Sequence, residues 1–448
     1  MTGGTCGDGA PPYARAMSRV GRLVDRVGVL RPLRIRDFAL LWTGLTVSFI
    51  GDGVYLIAIA WQTYDLSNSP SALAAVGIAW SLPQVALLLL TGVLSDRLDR
   101  RHLMIAGDVV RGVAIVTIGV LSIEGTLTMT SLIALVVVFG VGQALFGPAF
   151  SSIVPQVVPE DLLVEANSLG QFVRPIAWTL IGPLVGGALV ASLGTGWAFV
   201  VDAGTFAFSA VMIGLMRTRP ERAAEEERTS AWADLKEGLR YVRSRTWLWV
   251  AMLAGTVSLL ATWGPWEVLV PYVVRNDLGG SAAALGLVYG AGGVGSVSVA
   301  LAMGQRGRLP RRAVTMLYVT WAVGMLMTAG FGLVSTVWQA AAVAFVSESC
   351  ITGLIVIWFT LLQRLVPGHL LGRVSSLDWM ISIAGVPLSY AVVGPLAAAF
   401  GVDATLIGAG LAGAAVTIAF MFYPHARDPE RDGSLIERPS APTSAARG

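Results

Sequence analysis

Apolar stretches recur along the whole chain, at 38–62, 72–95, 103–123, 129–154, 166–192, 196–216, 247–272, 281–303, 313–334, 338–363, 372–398 and 402–423, with short polar breaks between them. A helix rises about 1.5 Å per residue, so each stretch can cross the roughly 30 Å hydrocarbon layer of a bilayer. The pattern predicts an all-α polytopic membrane protein with twelve transmembrane helices. The breaks alternate in charge. Those at 65–70, 124–128, 193–196, 273–280, 335–337 and 399–403 hold one basic residue, Arg275. The other set holds Arg15 to Arg36, Arg97 to Arg101, Arg217 to Arg245, Arg306 to Arg312, Arg364 with Arg373, and Arg427 onward. Arginine is retained on the cytoplasmic side, so both termini are expected there.

The longest internal polar stretch, 217–246, divides the spans six and six. The expected organisation is a cytoplasmic tail at 1–36, a six-helix bundle at 37–216, a linker at 217–246, a second bundle at 247–423 and a disordered cytoplasmic tail at 424–448. Within the linker, Glu221 to Arg228 is a solvated charge run. Trp232, Leu235, Leu239, Tyr241 and Val242 then suggest an amphipathic helix, either at the membrane surface with Arg240, Arg243 and Arg245 near headgroups or serving only as a connection. The halves echo each other, which predicts two pseudo-symmetric bundles. Gly92 to Arg101 aligns with Met303 to Arg312 at a spacing of 211, Val158, Pro159, Ser168 and Leu169 with Val366, Pro367, Ser376 and Leu377 at 208, and Gly182, Pro183 with Gly394, Pro395 at 212.

Composition agrees with immersion in lipid. Of 448 residues 55% are hydrophobic and 13% charged, with mean hydropathy +0.70, against about a quarter charged in soluble proteins. The formal charge of +3 and the dominance of arginine, with Lys236 the one lysine, indicate no nucleic-acid site. Cys6 and Cys350 lie far apart without ligand-like neighbours, so neither a disulfide nor a metal site is expected. The first apolar stretch is too long for a signal-peptide core and reads as a retained span. The residues before Met17 read as disordered or as lying upstream of the true start. His102, His369 and His425 have no nucleophile beside them, and there is no phosphate-binding loop to use ATP, so neither an enzyme nor an ATP-driven machine is expected.

Charged residues inside spans carry the candidate chemistry, because a charge in hydrocarbon is costly unless it faces a polar route or a partner. Asp52, between Gly51 and Gly53, lies ~21 Å deep in the first span. It reads either as a group that contacts a solute or exchanges a proton, or as a carboxylate paired within the bundle; its glycines allow close helix approach or local unwinding. Asp108 and Arg111, three residues apart, share a helix face. They form a gate pair or a static pair, and Asp96 is an alternative partner for Arg111. Arg174, beside Pro175, must face the interior, reach headgroups, or both, and is a candidate for contact with substrate. Glu165 and Asn167, and Glu160 with Asp161, read as helix-start residues of the inner loop. Glu348 and Asp378 are candidates for proton exchange, whereas Glu267, Asp202 and Asp403 are expected nearer the outer face and hydrated. Gly182, Pro183, Gly186 and Gly187 combine a helix bend with a flat contact surface. Trp247, Trp249, Trp263, Trp266 and Tyr272 read chiefly as interfacial anchors, with Trp263 and Trp266 alternatively lining a vestibule.

Gly92, Leu94, Asp96, Arg97, Arg100 and Arg101 resemble the signature loop between the second and third helices of the major facilitator superfamily. That family uses the loop to stabilise its outward-open state, and Asp108 belongs to the same gating set. The GPLVGG stretch at 182–187 resembles the antiporter motif of its drug/proton exchangers. VPEDLLVEANSL at 158–169, DLKEGLRYV at 234–242 and Gly51 with Asp52 resemble the branch of enterobactin-type siderophore exporters and macrolide-efflux proteins. The resemblance covers about 36–423. It implies alternating access in the inner bacterial membrane and proton-driven export of a medium-sized, partly apolar compound such as a drug or siderophore. It further implies no cofactor beyond the proton gradient, contact with lipids, and a functional monomer. Import of a nutrient by the same fold is the alternative.

Overall fold

A computed structural model describes residues 28–159, 162–217, 231–306 and 309–431. Among the described residues there is no strand, and twelve helices are long and apolar enough to cross a membrane. They are α1 Arg36–Leu66, α2 Pro70–Arg97, α3 Arg100–Ile123, α4 Met129–Val157, α5 in three joined pieces Leu163–Arg174, Pro175–Ile181 and Gly182–Leu193, and α6 Thr195–Gly214. The second half has α7 as Thr246–Gly264, Pro265–Leu269, Val270–Tyr272 and Val273–Asp277, then α8 Ala282–Arg306, α9 Ala313–Phe331, α10 Val337–Leu365, α11 as Gly368–Ala384 and Val386–Phe400, and α12 Val402–Met421. Each expected span is present, shifted at its ends by a few residues.

In hydrocarbon a backbone N–H has no water to bond, so the chain satisfies it within the helix and ends the helix where a cap is at hand. Thr128 caps α4, its Oγ1 accepting from the Ser131 N–H while Ser131 Oγ accepts from the Thr128 N–H. Thr336 holds the matching place before α10 and accepts from the Gln339 N–H. The links from α5 to α6 and from α11 to α12 turn at Gly194 and Gly401, with φ of +88° and +86°. A side chain there would be strained. Caps and turns therefore repeat between the halves as the sequence offsets do.

Each helix sorts its faces. On α3, Asp108, Arg111, Ile115 and Ile118 are buried, while Val109, Val113, Val116 and Val120 form an exposed apolar strip. In the first half α1 packs on α5 and α6, and α4 packs on α2 and α3; in the second α8 packs on α10, and α12 on α7 and α9. Small residues allow the tightest of these crossings. A Cβ on Gly182 of α5 would lie 2.6 Å from the Gly53 Cα of α1.

The linker contains a helix, Ala231–Ser244. It docks on the second bundle through an ion pair of Glu237 with Arg373, a Tyr241 Oη donation to the Leu365 carbonyl at 3.2 Å, and the buried Val242. The C-terminal expectation needs a correction. Residues 424–431 are folded, with Ala426 buried and Glu430 accepting from the Thr315 N–H at 2.6 Å and from its Oγ1 at 2.7 Å. That carboxylate caps the start of α9, where unpaired N–H groups favour an anion. The N-terminal residues up to 27, with Met17, Glu160 with Asp161, and the charge run at 221–228 lie outside the described residues.

Candidate functional site

The first half buries a polar cluster at mid-membrane depth. Arg111 is 2% exposed and Asp108 1%. Their spacing on α3 lets the guanidinium bond the carboxylate directly, and Arg111 Nη1 also donates to Gln143 Oε1 on α4 at 2.8 Å. Its flat faces lie 4.3 Å and 4.5 Å from the ring centres of Phe146 and Phe206. The pair is thus internal to the first half and does not bridge the two halves. Of Gly92, Asp96 and Arg97 only the helical backbone is described. Arg101 donates to the Gly214 carbonyl at the end of α6, and Asp99 accepts from the Arg101 N–H, capping α3 where Arg100 begins it.

Asp52 has no hydrogen-bond or ion-pair partner among the described residues, and Arg111, Asp108 and Arg174 lie within electrostatic reach of it. The helix stays continuous there, so the glycines serve close approach and not unwinding. A Cβ on Gly51 would overlap Thr205 and Asp202 of α6, and one on Gly53 would lie 2.6 Å from the Trp178 carbonyl of α5. Arg174 is exposed, its guanidinium 4.9 Å from the Trp178 ring and 5.8 Å from that of Phe49. Asp202 corrects the sequence reading. It is 0% exposed, its Oδ2 has no partner among the described residues, and its face is turned to α1 and away from the outer solvent.

The second half gathers Glu267 of α7, Tyr289 of α8, Glu348 of α10 and Tyr390 of α11. Glu267 is within electrostatic reach of Glu348, and Tyr289 of both carboxylates and of Tyr390. Glu348 packs on α8, where a Cβ on Gly292 would meet its Cγ at 2.8 Å. Glu267 sits in the widened turn Pro265–Leu269. Trp263 and Trp266 are not anchors. Trp263 Nε1 donates to Tyr390 Oη at 3.3 Å, and the Trp266 ring lies 6.2 Å from Tyr289 and 5.2 Å from Phe331. Asp378 stands apart, accepting from Trp358 Nε1 at 3.0 Å.

The halves meet at one end. Near the ends of α1 and α7 farthest from the termini, Tyr64 Oη donates to the Val268 carbonyl at 2.6 Å. The Tyr64 and Tyr272 rings lie edge to face at 5.7 Å, and Asn68 and Asn276 exchange amide hydrogen bonds of 2.8 Å and 3.1 Å. Tyr64 and Tyr272, like Asn68 and Asn276, are 208 residues apart, so each equivalent pair meets across the pseudo-two-fold. Arg275 adds a 2.8 Å ion pair to Asp65 and a bond to the Trp61 carbonyl at 3.2 Å. Gly187 of α5 meets Gly286 of α8, and Gly394 of α11 meets Ser71 of α2. The GPLVGG stretch therefore serves two seams: Gly182 and Gly186 against α1, and Gly187 against the other half.

This arrangement of two matched bundles around a polar centre has many relatives. A family profile described as Transmembrane secretion effector matches residues 27–440. The multidrug efflux pump Tap of Mycolicibacterium fortuitum is 28% identical, over 89% of this chain and 97% of its own. Macrolide efflux protein A of Streptococcus pyogenes is 22% identical over 78% and 87%. The enterobactin exporter EntS of Salmonella typhimurium is 26% identical over 79% and 83%. Among solved structures, a bacterial homologue of the iron transporter ferroportin superposes with a TM-score of 0.64 at 17% identity, covering 86% of this chain and 99% of that one. The bacterial homologue of the lysosomal transporter Spinster gives 0.61 at 15%, covering 89% and 96%. The chain is a multi-pass membrane transporter of the major facilitator superfamily, and it belongs to the transmembrane secretion effector family.

Proposed function

We propose that the protein exports a medium-sized, amphipathic organic compound from the bacterial cytoplasm across the inner membrane, driven by proton entry. The observation that carries this reading is a seam shut at one end over charged groups at mid-membrane. With the arginine-rich loops and both termini in the cytoplasm, the shut end is external and the described state faces inward. The relatives named for efflux support the direction. A monomer suffices, since both halves of the site lie in one chain.

Asp52 is the proton-exchanging group and Arg174 its changing partner. When Asp52 is ionised it attracts the Arg174 guanidinium; a proton on Asp52 removes that attraction and frees Arg174 and the Trp178 face beside it. Proton and solute then occupy the first half alternately, and the differential affinity of the two states sets the direction. Arg111 with Asp108 is the fixed frame behind Asp52, and the 92–101 loop holds the cytoplasmic end when the external seam opens. Lipid surrounds the outward-facing apolar strips.

The test is transport by purified protein in liposomes under an imposed pH gradient, with siderophores, macrolides and dyes as solutes. Wild-type protein should accumulate solute against its gradient in the direction opposite to proton flow. Asp52→Asn should abolish coupled movement while inserting and purifying normally. Undiminished coupled export by that variant removes Asp52 from the mechanism, and solute moving with the protons makes the protein an importer.

A further inference from the structure

We propose that the start of α7 and the end of α12, which meet at the arginine-rich end of the molecule, form a site for the headgroup of an anionic phospholipid, with Arg245 and Arg427 supplying its positive charge. The site concerns the bilayer around the protein and holds for either direction of transport. The rings of Trp249 on α7 and Tyr423 just beyond α12 meet edge to face at 5.3 Å. Each has an arginine four residues away, Arg245 before Trp249 and Arg427 after Tyr423. The Arg245 guanidinium lies 5.9 Å from the Tyr241 ring centre, and that of Arg427 5.4 Å from Phe422. Neither has an ion-pair partner among the described residues, whereas Arg373 is paired with Glu237 and Arg36 with Asp37.

The fold fixes the second arginine in place. After α12 the chain turns at His425, whose φ of +66° is uncommon for a residue other than glycine. Ala426 is then buried, and Glu430 caps α9 through Thr315. Asp428, the nearest carboxylate in sequence, is taken up by His425 at 2.9 Å. Arg427 is therefore held on the second bundle.

The chemistry of the occupant follows from charge and from the apolar surface beside it. A ring against one face of a guanidinium leaves its N–H edge free, and that edge matches a phosphate through two parallel hydrogen bonds. Span ends stand in the headgroup layer, where amphipathic rings such as Trp249 and Tyr423 gather. An apolar track leads away from the charges. Leu253, one turn from Trp249, is 44% exposed, and on α12 Ile418 and Phe422, also one turn apart, are 43% and 65% exposed. A soluble anion would leave that track uncovered, and a zwitterionic headgroup would bring its own ammonium against two arginines. A phosphodiester of net negative charge carrying acyl chains satisfies both.

Dioleoylphosphatidylglycerol and dioleoylphosphatidylcholine, which share acyl chains and differ in net charge, are the probes. Native mass spectrometry of purified full-length protein offered equal amounts of both should show phosphatidylglycerol retained at least about tenfold over phosphatidylcholine. Arg245→Gln/Arg427→Gln should lose that preference, and Arg306→Gln/Arg364→Gln, which removes the same charge elsewhere at that end, should keep it, with melting temperatures recorded alongside. Equal retention of the two lipids by wild-type protein overturns the proposal whether or not either variant folds. So does an undiminished preference in the folded first variant, or an equal loss in the second, which would make net charge and not this site the cause. Displacement of the bound lipid by glycerol phosphate at the same concentration also overturns it, because the site would then serve a soluble anion.

Discussion

Arg111 shows how a single side chain is retained in the membrane core. Its charge is met by Asp108, its Nη1 by Gln143, and its faces by Phe146 and Phe206. Removing it leaves Asp108 buried and unpaired. Arg111→Ala should therefore cost about 3–5 kcal/mol, whereas Asp108→Asn/Arg111→Gln should recover most of the loss, because no net charge remains buried. Thermal unfolding in detergent compares the three proteins. The pairing was legible from a three-residue spacing. The inward direction of Asp202 was not, because depth along a helix is readable from sequence while the direction of a side chain depends on its neighbours. Asp202 lies against the close approach of Gly51 on α1.

At the scale of elements, the seam that joins the halves is the part whose strength would set the balance between the two open states of the proposed transport cycle. Asn68→Ala/Arg275→Ala removes the reciprocal amide bonds and the ion pair to Asp65 together. The expected effect is about 1–3 kcal/mol, a shift of roughly 5- to 150-fold toward external opening. Distances between spin labels on the ends of α1 and α7 report it; unchanged distributions would deny the clasp its role. Gly187→Val acts on the same seam by volume, since a Cβ there already lies 2.8 Å from the Ala282 carbonyl and 3.0 Å from the Gly286 Cα. Overpacking of about 1–3 kcal/mol would fall on the closed seam alone, so the same labels should move apart. The glycines of GPLVGG were visible in sequence, yet which helices they touch was not. The Tyr64 and Asn68 repeat at Tyr272 and Asn276 was also there to be read, and its 208-residue spacing was the signal that marked it.

For the whole molecule, the proposal requires the arginine-rich loops to share one side of the membrane and the clasp to lie on the other. Single cysteines at 99 and 310, in protein with Cys6 and Cys350 replaced by Ser, should react from the cytoplasmic face only. A cysteine at 125 should react from the outside. Crosslinking of Asn68→Cys/Asn276→Cys should stop turnover, and reduction should restore it; transport persisting in the crosslinked protein would mean that the seam does not open. Twelve spans and the duplication of the halves follow from the sequence alone. Hydrocarbon forces each apolar run to satisfy its own backbone, so the spans are local properties of the chain. Which face of each span turns inward, which glycines meet, and which carboxylates gather at the centre were decided by tertiary packing. Those depend on side chains hundreds of residues apart arriving together, and no periodicity within one helix records them.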